Sequence, residues 1–157
     1  VLVLVNVGVV GWLVWPRPEP PRARPYLAFT ACLLTDEEGI TGAAAPVWAG
    51  MQEASLATRA KVQYLAVDGP STVENVTPFL ASLVQRRCDV VVAVGPAEVA
   101  AAQAAAGRAS TTKFVLVSGA PSTPKLNVTV VASQPADQVT VAVRDAIVAA
   151  VRASGGR

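Results

Sequence analysis

Six residues have the types and positions that could do chemistry: Thr35, Asp36, Ser71, Gly95, Ser118 and Ser133. All six fall at or just after the ends of successive apolar runs. YLAFTACLL is followed by TDEEGIT, KVQYLAV by DGPST, DVVVAV by GPAE, and KFVLV by SGAPST. An aspartate at position 36 can accept hydrogen bonds from a ligand hydroxyl or amine, and hydroxyl groups can both donate and accept. Helices that begin after the first and third runs would aim backbone N–H groups at the same place, which favours a small polar or anionic ligand. The same residue types have a structural use as well, because aspartate and serine cap helices and satisfy loop amides.

These residues need elements to hold them. The order strand, loop, helix repeats along the chain. It predicts an α/β fold: a doubly wound parallel sheet of about five strands with helices on both faces, the loops gathering at one edge where open sheets bind ligands. Strands are expected over 26–34, 61–67, 89–94, 113–117 and 127–131. The run of valines in the third has no alternation, as a strand covered on both faces requires. The first helix is expected over 43–58, with Ala44, Val47, Trp48, Met51, Ala54 and Ser55 on one face. Thr77-Pro78 reads as the start of the second helix, with Phe79, Leu80, Leu83 and Val84 as its buried stripe. A third helix spans 97–106 and stops at Gly107. A fourth opens at Gln134-Pro135 and runs to about Arg152, burying Val139, Val143, Ala146, Ile147, Ala150 and Val151.

Composition removes several functions. The 157-residue chain carries 15% charged residues and a formal net charge of +2, with no basic face of the kind nucleic acid needs. It has no histidine, so a Ser-His-Asp triad is impossible and most zinc sites are excluded. G-x-S-x-G, G-x-G-x-x-G and G-x-x-x-x-G-K are all absent. Asp36, Glu37 and Glu38 imitate part of a phosphoacceptor cluster, but the third strand ends in Val94-Gly95 without the second carboxylate. No enzyme, cofactor or metal site is expected.

Residues 1–15, VLVLVNVGVVGWLVW, hold one polar residue, Asn6, and end in Trp12 and Trp15. A spanning helix needs roughly 17–25 apolar residues, so this run is slightly short. A core element has the same composition. The terminal position and the tryptophans favour a hydrophobic helix acting as a membrane anchor or uncleaved signal. Residues 16–25, PRPEPPRARP, form a stiff extended linker. A single lobe over 26–153 and a flexible tail over 154–157 complete the domain reading. Arg17, Arg22 and Arg24 after the run would place the linker in the cytoplasm. A chain beginning with valine looks cut short, and a missing basic leader would reverse that orientation. The expected location is the extracytoplasmic face of the cell membrane, on a single-pass anchor. Cys32 and Cys88 lie towards opposite ends of their expected strands. Two buried free thiols are expected rather than a bridge, although neighbouring strands make a bridge conceivable. FTAC before Cys32 loosely resembles a lipidation site, but it lies inside a strand, far from the hydrophobic run.

The segments ACLLTDEEGI, VWAGMQEAS with KVQYLAV, CDVVVAVG and KFVLVSG resemble the N-terminal lobe of the basic membrane protein family, and ADQVTVAVRDAIVAAV resembles the helix closing that lobe. These are substrate-binding proteins of ABC transporters on the type 1 periplasmic-binding fold, and they typically bind purine nucleosides. The resemblance implies a small polar ligand such as a purine nucleoside, an ABC permease as partner, and ligand contacts from Thr35, Asp36, Gly95 and Ser118. Thr35, Asp36, Gly39 and Ile40 fit the family pattern. Thr41 and Gly42 take the place of an Asn-Asp pair, and Ser118 the place of a frequent aspartate. The aromatic residue that would stack on a base is missing, and only the first of the family's two lobes is covered. Two functions are therefore expected: a membrane-anchored solute-binding protein, or an extracytoplasmic sensory or interaction domain that has lost its ligand.

Overall fold

A computed structural model of the protein describes residues 25–119, 125–133 and 135–155. The expected hydrophobic helix over 1–15 and all of the linker except Pro25 lie outside the described residues. Among the described residues no helix is long and apolar enough to cross a membrane.

Five strands, β1 (Thr30–Thr35), β2 (Lys61–Ala66), β3 (Val90–Val94), β4 (Lys113–Val117) and β5 (Val128–Val131), form one sheet in the order β2-β1-β3-β4-β5. Every neighbouring pair is parallel. Among the described residues four α-helices accompany them: α1 (Ala45–Thr58), α2 (Val73–Gln85), α3 (Pro96–Ala106) and α4 (Ala136–Gly155). The period-two alternation of the strands explains the layering. Ala31 and Leu33 of β1, with Val90, Val92 and Val94 of β3, pack beneath Val47, Met51 and Ala54 of α1 and Val139, Val143 and Ile147 of α4. Cys32 and Leu34, with Val91 and Ala93, face the other way onto Leu80 and Leu83 of α2 and Ala101 and Ala102 of α3. β3 is buried along its whole length, as its valines imply.

Three expectations need correction. β1 begins at Thr30 rather than Tyr26, and Tyr26 and Leu27 are exposed. α2 begins at Val73, not at Thr77-Pro78. Thr72 is its cap, with the side chain accepting from the Asn75 N–H at 3.3 Å, and Pro78 sits inside the helix. The earlier cap wins because Asn75 also holds the preceding loop, its Nδ2 donating to the Asp68 and Pro70 carbonyls at 2.8 and 3.0 Å. Those bonds outweigh the one intrahelical bond that Pro78 cannot make.

The third correction concerns the cysteines. Cys32 and Cys88 form a disulfide, with Cα atoms 6.0 Å apart. With β1 starting at Thr30, Cys32 falls in the first half of its strand, near the end where β3 enters. Arg87, at φ 58°, turns the chain so that Cys88 enters the same apolar layer as Cys32. Cys32 is fully buried and bonded, so it is not a lipidation site.

Candidate functional site

The strand order reverses direction between β1 and β3. β2 lies to one side of β1, and β4 and β5 continue on the other. In open α/β sheets of this order the carboxyl ends of the strands at that switch point bind ligands. Two concavities open there, and together they take in five of the six residues expected to line the edge.

The larger has a volume of about 830 Å³. Gly95, Ser118 and Ser133 line it, together with Gly42, Ala43, Val94, Val99 and Val117. The chain around it is mostly apolar with a few hydroxyls, in the size range of small-molecule pockets. Three helical segments begin at its rim, marked by Pro46 in α1, Pro96 in α3, and Pro135 with Ala136 before and at the start of α4. Proline suits a first helical turn, where no intrahelical donor is lost. Gly95 is the N-cap of α3 at φ 109°, a conformation costly for any other residue.

The smaller has a volume of about 380 Å³ and is lined by Asp36, Glu37, Glu38, Val67, Gly69, Pro70, Ser71 and Glu98. Four of those eight residues are acidic and none is basic. Asp36 is half-buried, and its Oδ1 accepts from the Glu38 N–H at 3.1 Å. Thr41 fixes the same loop by donating to the Glu38 carbonyl at 2.7 Å. Ser71 lies exposed in the loop that Asn75 pins. The carboxylates disfavour an anion here. The donors expected to attract one from α3 are in part already used, since Glu98 in the first turn of that helix accepts a hydrogen bond from its own backbone N–H.

Thr35 is the expected residue that reaches neither concavity. It is buried, and its hydroxyl donates to the Gly39 carbonyl at 3.0 Å, closing the loop after β1. Glu98 is the residue that sequence reasoning missed. It is 1% exposed, and its Oε2 has no hydrogen-bond partner among the described residues. Burial pushes its carboxyl above the ordinary range, its backbone hydrogen bond opposes this, and the charge of Asp36 adds to it. Two signals pointed to it. Glu98 is the third residue of α3, where a capping glutamate reaches back towards the helix start. It also precedes buried Ala101 and Ala102 by three and four residues, which places it on the buried face.

No family model matches the chain, and no curated protein matches it in sequence. Among solved structures it is similar to a fragment from Peptoclostridium difficile 630 described as a "putative lipoprotein", with a TM-score of 0.66 at 13% identity. The match covers 78% of this chain and 98% of that fragment. The likeness shows a shared fold: a parallel-sheet α/β architecture compatible with that of periplasmic-binding lobes.

Proposed function

We propose that this chain is a receptor-type lobe that binds a small molecule outside the cytoplasm, and that its larger concavity takes a polar ring compound of the nucleoside kind. The carrying observation is that concavity's position, at the carboxyl edge beside the β1/β3 switch point, with Ser118 and Ser133 set in an otherwise largely apolar wall. Apolar walls suit the faces of a ring, and hydroxyls suit sugar or base edges. The resemblance to the basic membrane protein family points to the same ligand class. The disulfide supports the location, because such bonds persist in oxidising compartments. In this reading residues 1–15 anchor the lobe to the membrane and an ABC permease is its partner. In this reading the lobe binds its ligand without transforming it.

Thermal unfolding of the full chain with inosine, adenosine and guanosine tests this. A ligand at 100 times its Kd stabilises the native state by about 2.7 kcal/mol. For a chain of this size that is a rise in Tm of about 5–10 °C. Ala43→Trp, which fills the concavity from an exposed position, abolishes the rise. Absence of any shift across the panel overturns the nucleoside reading and favours a sensory or protein-interaction domain.

A further inference from the structure

Glu98 stands outside the account given for the larger concavity. A carboxylate oxygen that is buried and unpartnered is costly, and native structures resolve such cases with an ion, a water or a bound group. Here the side chain lines a concavity of about 380 Å³ whose other walls carry Asp36, Glu37 and Glu38. No lysine or arginine contributes to that lining, so the negative charge is uncompensated by the protein. Among the described residues, no group of three or more acidic side chains is arranged to hold a metal ion. The carboxylates therefore suit a molecule with extended positive charge better than a point charge. Val67 and Pro70 add apolar surface to the lining, as an alkyl segment would need.

We propose that the smaller concavity is a second, separate binding site that takes a short alkylammonium cation, with one ammonium group on Glu98 and the other end near Asp36, Glu37 and Glu38. An N–H donor on Glu98 Oε2 makes a charge-assisted hydrogen bond where water is excluded, the setting in which such bonds are strongest. The four acids lie on two segments, three on the loop after β1 and Glu98 on α3, with the β2–α2 loop closing the side through Gly69, Pro70 and Ser71. Asn75 holds that last loop in place, so the site is largely formed before any ligand arrives.

Isothermal titration of the full chain with 1,4-diaminobutane is the test, with 1,4-butanediol and calcium chloride as comparisons. Saturable binding of the diamine and none of the diol is the expected result. Glu98→Gln weakens diamine binding at least tenfold, and Asp36→Asn, which keeps the Oδ1 acceptor for the Glu38 N–H, weakens it several-fold. Glu53→Gln, an exposed change on α1 away from the concavity, leaves it unaltered. No heat with the diamine, equal binding by Glu98→Gln, or tighter binding of calcium that displaces the diamine each overturns the proposal. The result is independent of the nucleoside reading. A nucleoside shift that survives Glu98→Gln belongs to the larger concavity whether or not the diamine binds.

Discussion

Glu98 shows how one residue couples the edge of the sheet to stability. Its carboxyl titrates at about 4.5 in the unfolded chain and higher in the fold, because burial and the neighbouring Asp36 both disfavour its charged form. The folded state therefore holds its proton longer. Stability from this group is complete below about pH 4.5 and is lost as pH rises through the folded value. Glu98→Gln is expected to remove that decline and to raise the urea midpoint at neutral pH. A pH–stability profile of the two proteins checks it, and parallel profiles would contradict it. The side chains of the edge were legible in part. Asp36, Ser71, Gly95, Ser118 and Ser133 stand where their positions after apolar runs suggested. Thr35 was read as a contact on the same grounds, but residue type alone cannot tell a hydroxyl that faces a ligand from one turned onto the Gly39 carbonyl. Glu98 was hidden because most of its helix is alanine, and only its cap position and its spacing from Ala101 and Ala102 distinguished it.

α1 and α4 meet so closely that their contact depends on one position. A Cβ at Gly50 would overlap the backbone carbonyl of Thr140, and backbone cannot move aside as a side-chain tip can. Thr140 closes the same contact by donating to the Pro46 carbonyl at 2.9 Å. Gly50→Ala is expected to destabilise the protein by about 1–3 kcal/mol through this overpacking, although alanine is the better helix former. Equilibrium urea unfolding measures it, and a gain in stability would show that the helices separate at little cost. At this scale the chain was most legible where tertiary structure agrees with local pattern. The valine run of β3 and the KFVLV of β4 appear within a residue of their expected bounds. It was least legible where two local signals competed. Pro78 looked like a helix start, yet Thr72 and Asn75 begin α2 a turn and a half earlier. The aromatic Tyr26 looked like strand, yet sheet pairing begins only at Thr30, opposite Lys61.

Across the whole molecule the Cys32–Cys88 bond ties the first strand to the entry of the third over a separation of 56 residues. Such a link limits the unfolded ensemble, and its removal is expected to cost about 2–4 kcal/mol. The Cys32→Ala, Cys88→Ala double variant, compared with the parent by urea unfolding, checks this. A difference below about 0.5 kcal/mol would mean that the unfolded chain keeps the two segments together without it. The bridge was not legible because it depends on where β1 starts and on the left-handed turn at Arg87, and neither is written in the cysteine spacing. The parallel run of the strands and the gathering of the loops at their carboxyl edge, by contrast, follow from the repeated strand–loop–helix pattern, and the functional account rests on that edge. An ¹⁵N-resolved NMR titration of the full chain with inosine examines it most directly. Saturable shifts confined to Gly42, Ala43, Gly95, Val99, Ser118 and Ser133 are the predicted result. Shifts spread over the outer faces of α2 and α4, or none at millimolar inosine, would contradict it.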